Sequence, residues 1–299
     1  MSSISSSAAT ITGGLVDLAS ATTHGPRSHW ARYRNASLIG GGVILLALTL
    51  VIIFYPMFSP WSATDPDFSQ PTFAPSSWDH PLGTDNFGRD QMTRMAVAGR
   101  IDLMIALLAT SVTLVVGAAL GLVTGYVGKW FDTIVMRLVD FTLAIPTLIL
   151  VIAIVAVLGI GTSNIIFAVW MVGWVTYTRI VRSETIVARE LEYVEAARLI
   201  GLSDVRIMLR HILPNVIVAA IVFAMADVVL NILLCSSLSF LGLGVQSPTP
   251  EWGLMVAESR DFFLRDWRLM TYPGIAVLIF GVAFSLIGDG LPQALRPRG

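Results

Sequence analysis

Asp227 and Asn231 stand one helical turn apart inside an apolar run, 216–235, and chemistry could reside there. A carboxylate and a carboxamide on one face can exchange hydrogen bonds with a polar solute. An ionisable group at such a place lines a translocation path, meets a partner, or serves as a hydrogen-bonded structural carboxyl. Gly128-Lys129, which holds the only lysine, invites a phosphate-cradle reading. A P-loop needs G-x4-G-K-[ST], so that backbone amides surround phosphate and a hydroxyl reaches magnesium. Val123 occupies the first glycine position and Trp130 the hydroxyl position, so the match fails. His24, His29, His80 and His211 are dispersed, with no H-E-x-x-H, and no G-x-S-x-G turn is present. His211 reads as a packing or hydrogen-bonding residue. Cys235 has no partner and reads as a small buried hydrophobe. The chain is therefore expected to be no enzyme, with nucleotide chemistry, if needed, supplied by another chain.

The elements that position these groups follow from composition. Of 299 residues, 55% are hydrophobic and 13% charged, with mean hydropathy +0.75, which is too apolar for an ordinary soluble fold. Net charge −1 gives no bulk attraction to nucleic acid. Six segments approach the ~20 residues that cross a bilayer: 38–58, 103–127, 134–158, 163–180, 216–235 and 272–287. Pro56, Pro60, Pro214 and Pro273 punctuate their edges, and Pro146 predicts a kink within the third. Residues 1–34, rich in Ser, Thr, Ala and Gly, read as a disordered tail. Arg27, Arg32 and Arg34 precede the first run, which reads as an uncleaved anchor. Placing both termini inside puts thirteen of the 19 Lys and Arg on the cytoplasmic side and six outside. The chain then divides into the tail, a first span with its outer loop (35–100), and a five-span core (101–299) with a cytoplasmic loop at 181–214. Trp61, Trp78, Trp252 and Trp267 in the outer loops suit either the membrane interface or a packed cap. Arg137 and Asp140 are spaced for an intrahelical or interfacial pair.

The cytoplasmic loop carries "EYVEAARLIGLSDVRIMLRHILPN", 192–215. Residues 189–200 are expected to form a helix, stopped by Gly201. Ser203 can cap a second helix over 204–213, and Pro214 suits the first turn of the following span. On the first helix Leu191, Val194 and Arg198 share a stripe, Ala196, Ala197 and Ile200 flank a second, and Glu192 and Glu195 add charge. Adjacent alanines leave a low surface where a partner's backbone could approach, and acids could pair at the rim. The same helix could lie on the bilayer or pack only against its own chain.

"EAARLIG", with Glu195, Ala196, Ala197 and Gly201, followed after nine residues by "HILP", resembles the cytoplasmic signature of ABC-importer permeases. The form "RHILPN", 210–215, resembles the dipeptide/oligopeptide/nickel branch, His211 being a branch feature. "HPLGTDNFGRD" (80–90), "MRLVDFTLAIPTLIL" (136–150), "LSFLGLGVQSPTPEWG" (238–253) and "GDGLPQALRP" (288–297) are similar to the C-type permease subunit of that branch. The likeness covers about 35 to the end. Pro292-Gln293 and Arg296 depart from it locally.

The resemblance implies an all-α, six-span fold of type I importer permeases in the prokaryotic inner membrane, with both termini cytoplasmic. It makes the signature helix a coupling helix seated in a cleft of a cytoplasmic ATPase. Glu195, Ala196, Ala197 and Gly201 would be its transmission contacts, and Leu191, Val194 and Ile200 follow from the amphipathic pattern. Implied partners are a homologous permease, two ATP-binding subunits holding ATP and magnesium, an extracytoplasmic substrate-binding protein and membrane lipid. No cofactor is expected in this chain. Peptides are the expected substrate, with nickel chelates, glutathione and opines also carried in the branch. A secondary transporter or channel would work without nucleotide, but such folds favour internal repeats, and none is apparent between the halves.

Overall fold

The computed structural model describes residues 27–295, with side chains from residue 36 onward except Gln293 and Leu295. Most of the expected disordered tail lies outside the described residues, although the first helix already begins at Arg27. The helices are α1 (Arg27–Phe58), α2 (Gln91–Val127), α3 (Lys129–Leu143), α4 (Thr147–Leu158), α5 (Thr162–Ala188) and α6 (Glu192–Leu199). They continue with α7 (Asp204–Ile207), a π-helical turn (Met208–Ile212), α8 (Leu213–Phe240), α9 (Trp252–Ser259) and α10 (Arg268–Leu295). Among the described residues the only β pairing is an isolated bridge between Thr84 and Asp90.

Among the described residues five helices are long and apolar enough to cross a bilayer: residues 36–58, α2, α5, the continuous rod Asp204–Phe240, and most of α10. The third span expected over 134–158 does break at Pro146, but far more sharply than a kink within one span. α3 and α4 meet at 90°, and only as a bent pair do they make a sixth span. The cause is Pro146, which lacks an N–H, disfavours helical geometry at Ile145, and sits extended at φ −54°, ψ 128°. Twelve residues of α4 measure only about 18 Å, short of the ~30 Å hydrocarbon core.

The tightest packing joins α2 to α5. Gly117, Gly121 and Gly125 recur every fourth residue along α2, and the backbone of α5 lies directly over them. A Cβ on Gly121 would lie 2.6 Å from the Thr178 carbonyl oxygen. Small residues at this spacing let helices approach closely where lipid removes the hydrophobic drive for association. α8 packs beside this pair, burying Val216, Ala220 and Ala224 with Tyr177 and Val181. α10 then closes on α1 and α8 around Phe280 and Phe284.

The loop before α2 is held by buried charge. Asp90 caps α2, accepting from the Thr93 amide at 2.7 Å, and bonds His80 Nδ1 at 2.9 Å. Asp85 accepts from Arg89 Nε at 2.7 Å, and Arg94 reaches Asp85 at 3.4 Å, Glu258 at 3.0 Å and the Ala63 carbonyl at 2.8 Å. Gly83 and Gly88 have positive φ, and a Cβ on either would strike a carbonyl oxygen of the same loop. Thus 80–90 becomes a folded staple joining the outer loop to α9. Glu251, fully buried, caps α9 through the amides of Gly253 (2.9 Å) and Leu254 (2.8 Å), while Asp102 takes the Trp252 amide at 3.1 Å. The tryptophans divide: Trp252 is core, Trp61 packs on His80, and Trp78 and Trp267 stay exposed.

Candidate functional site

Two places concentrate the residues singled out above: an elbow between α5 and α8, and a cavity beside the middle of α8.

At the elbow, α6 is shorter than the expected 189–200. Leu191 is extended (φ −80°, ψ 146°) and occupies the position before the first turn. The end is a Schellman motif: the Leu202 amide donates to the Ala197 carbonyl at 3.2 Å, and the Gly201 amide to that of Arg198 at 2.9 Å. Gly201, at φ +81°, supplies the left-handed residue this closure requires, as the sequence indicates. Ser203 precedes α7, but its side chain makes no capping bond. The second helix expected over 204–213 instead passes through the π turn into the span without a break. Pro214 has no N–H for the carbonyl four residues back, and its ring crowds that carbonyl. The wider turn just ahead of it relieves both demands.

The faces of α6 differ from the expected assignment. Val194 and Ala197 are 0% and 4% exposed, packed with Ile207, Ile212 and Val216 of their own chain. They support the helix from beneath, so Ala197 is not an outward point of closest approach. Glu192, Glu195, Ala196 and Leu199 form the outer face, with Leu191, Ile200 and Gly201 exposed at its ends. Leu199, 82% exposed, is the residue the amphipathic reading missed; its position i+4 from Glu195 was the available signal.

Polar contacts fix the elbow to the membrane helices. Tyr126, at the end of α2, donates to Asp204 at 2.6 Å, and the Arg198 guanidinium lies 5.4 Å from the Tyr126 ring centroid. Arg189 donates to the Gly125 carbonyl at 2.8 Å. α3 is tied to α5 by Arg182 with Asp132 (2.6 Å) and Arg179 with Asp140 (2.9 Å). Asp140 therefore pairs across helices, and the Arg137–Asp140 pairing is not formed.

The cavity, of about 400 Å³, lies among α4, α5 and α8. Thr147, Val151, Val172, Thr176, Asp227 and Asn231 are among its walls. Asp227 Oδ2 accepts from Tyr177 Oη at 2.8 Å and from Asn231 Nδ2 at 3.1 Å. Asn231 Nδ2 also donates to Thr110 Oγ1 at 2.9 Å, linking α2, α5 and α8. Asp227 and Asn231 do share a face, and that face reaches the cavity. Among the described residues Asp227 forms no ion pair.

Spans around a bent pair, with a short helix exposed at an inter-span elbow, have the architecture of a permease subunit of an ABC importer. The fold matches the inward-facing MetNI methionine ABC transporter with TM-score 0.57 at 16% identity, covering 69% of this chain and 98% of that one. The chain belongs to the family described as binding-protein-dependent transport system inner membrane component, which it matches over residues 96–298. It is thus a multi-pass inner-membrane protein and the permease component of an import system. It is 38% identical to a dipeptide transport system permease, DppC, of Alkalihalophilus pseudofirmus, over 89% of this chain and 87% of that protein. A di/tripeptide transport permease of Pseudomonas aeruginosa is 38% identical (91% and 92% covered). A glutathione transport permease, GsiD, of Pectobacterium atrosepticum is 36% identical (91% of each).

Proposed function

We propose that this chain forms half of the membrane pathway of an ATP-driven importer of small peptides, and that α6 is its coupling handle. The observation that carries the handle is the two-sided build of α6. Val194 and Ala197 are anchored against the first turns of the rod that runs from Asp204 to Phe240, while Glu195, Ala196, Leu199 and Ile200 face outward. A partner that grips the outer face moves the rod, and with it the wall bearing Asp227 and Asn231. The chain itself is non-catalytic. ATP and magnesium belong to two cytoplasmic subunits, a homologous permease completes the pathway, and an extracytoplasmic binding protein delivers substrate to the outer loops. Asp227 and Asn231 line the pathway.

The test is transport by the purified complex in proteoliposomes. Labelled dipeptide should enter only when ATP is hydrolysed, and removal of the ATP-binding subunits should abolish entry. Nucleotide-independent transport by this chain alone would overturn the reading.

A further inference from the structure

Asp227 stands fourteen residues beyond Leu213 in the 28-residue α8, about 21 Å along a helix of about 42 Å, so it lies near mid-membrane. An ionised carboxylate there is costly unless something cationic visits it. The groups around it are neutral donors: Tyr177 Oη and Asn231 Nδ2, with Thr110 adjacent. Among the described residues no Arg, Lys or His forms an ion pair with it. The donors are fixed in place. Tyr177 is fully buried and held edge-on by Phe223 at 5.2 Å, and Asn231 is pinned by Thr110 at 2.9 Å. Fixed dipoles of this kind orient a carboxylate before a ligand arrives. The adjoining space, about 400 Å³, falls in the range of small-molecule sites, and its walls are mostly aliphatic, which strengthens any charge pairing inside.

We propose that this cavity is a subsite for a protonated primary amine, with Asp227 as its counter-charge and Asn231 and Tyr177 positioning the carboxylate. An ammonium group brings three donors and no acceptor, which complements an acceptor-only carboxylate beside filled donors. The inference rests on the import of small peptides, whose common cationic feature is the free α-amino group. It gives the pathway a point at which substrates with a free amine are favoured over neutral-ended analogues.

The experiment uses the intact complex of this chain with its companion permease and ATP-binding subunits, without the binding protein. The probes are alanyl-phenylalanine and propionyl-phenylalanine, which differ only in the amine. Binding is read as the probe-dependent rise in melting temperature. The wild type should respond to the amine probe at concentrations at least tenfold lower than to the des-amino probe. Asp227→Asn should erase that difference, Asp227→Glu should keep most of it, and Thr176→Trp, which fills the cavity, should remove the response to both. Equal responses to the two probes, an unchanged preference in Asp227→Asn, or failure of Asp227→Asn to assemble with the companion permease would overturn the proposal. The last result would mean that the carboxylate pairs with a neighbouring chain. ATP-driven dipeptide uptake by the wild-type complex, with its binding protein restored, is scored separately. Uptake without amine preference sinks the subsite alone, whereas no uptake sinks the import reading.

Discussion

Gly121→Ala tests whether the α2–α5 contact is set by backbone approach. The added Cβ would lie 2.6 Å from the Thr178 carbonyl oxygen and 2.9 Å from both the Arg182 nitrogen and Val181 Cβ. None of these atoms can rotate away, because each belongs to the α5 backbone or to a Cβ fixed by it. Ordinary contact begins near 3.4 Å, so the helices must part by about 0.8 Å (3.4 minus 2.6). A gap of ~0.5–1 Å forfeits about a quarter to a half of each neighbouring dispersion contact. Overpacking of this kind costs about 1–3 kcal/mol, or a melting point lowered by about 2–12 °C for a chain of this size. The assay is thermal unfolding of the purified chain in detergent, with Gly42→Ala as the control. At Gly42 nothing lies within 4 Å of the place a methyl group would take, so alanine there should stabilise by up to ~1 kcal/mol through helix propensity. If the two variants melt together, close backbone approach is not what holds α2 to α5.

Leu199→Asp places a charge on the outer face of α6, and should cut ATP-driven uptake at least tenfold while the chain keeps wild-type melting, since Leu199 touches little of its own chain. Ala197→Asp should instead destabilise the elbow by about 3 kcal/mol or more, because its carboxylate would be buried against Ile207 and Ile212; limited proteolysis at the elbow reports it. Arg94→Met leaves Glu258 without its 3.0 Å partner beside buried Asp85, and should cost about 3–5 kcal/mol, seen as a lower unfolding midpoint. Tyr126→Phe deletes the 2.6 Å bond to Asp204, loosening the elbow by about 1 kcal/mol, so ATP hydrolysed per peptide imported should rise up to about fivefold.

Much of this architecture was legible because hydropathy and backbone punctuation act locally. Gly201 was readable as a helix stop from residue type alone, since the Schellman closure needs a residue that tolerates positive φ. Pro146 announced a break, but how far the chain turns there depends on how α3 and α4 pack on α5, which spacing does not encode. The face of α6 was misassigned for a related reason. Periodicity placed Val194 and Ala197 in neighbouring stripes, but only the third dimension says that α7 and α8 cover both. Asp140 followed the same logic, its cross-helix partner Arg179 prevailing over Arg137 at i−3. The Gly117-Gly121-Gly125 recurrence was a readable packing signal that span counting passed over. Asp85, Arg89 and Arg94 are near neighbours in sequence, but Glu258, which closes their network, lies far along the chain, so no local pattern could reveal that contact.

The rod Asp204–Phe240 begins at the elbow and ends where Ser236 bonds Glu251, the cap of α9, at 2.9 Å. A continuous helix of this kind ties its two extremities together. If α6 is gripped as proposed, whatever free energy a ligand on the far side spent in tilting this shaft would reappear, equal in size, as altered grip at the near side. On the proposed coupling, an exterior ligand and an interior partner would each feel the other's arrival, with no messenger other than the tilt of one helix.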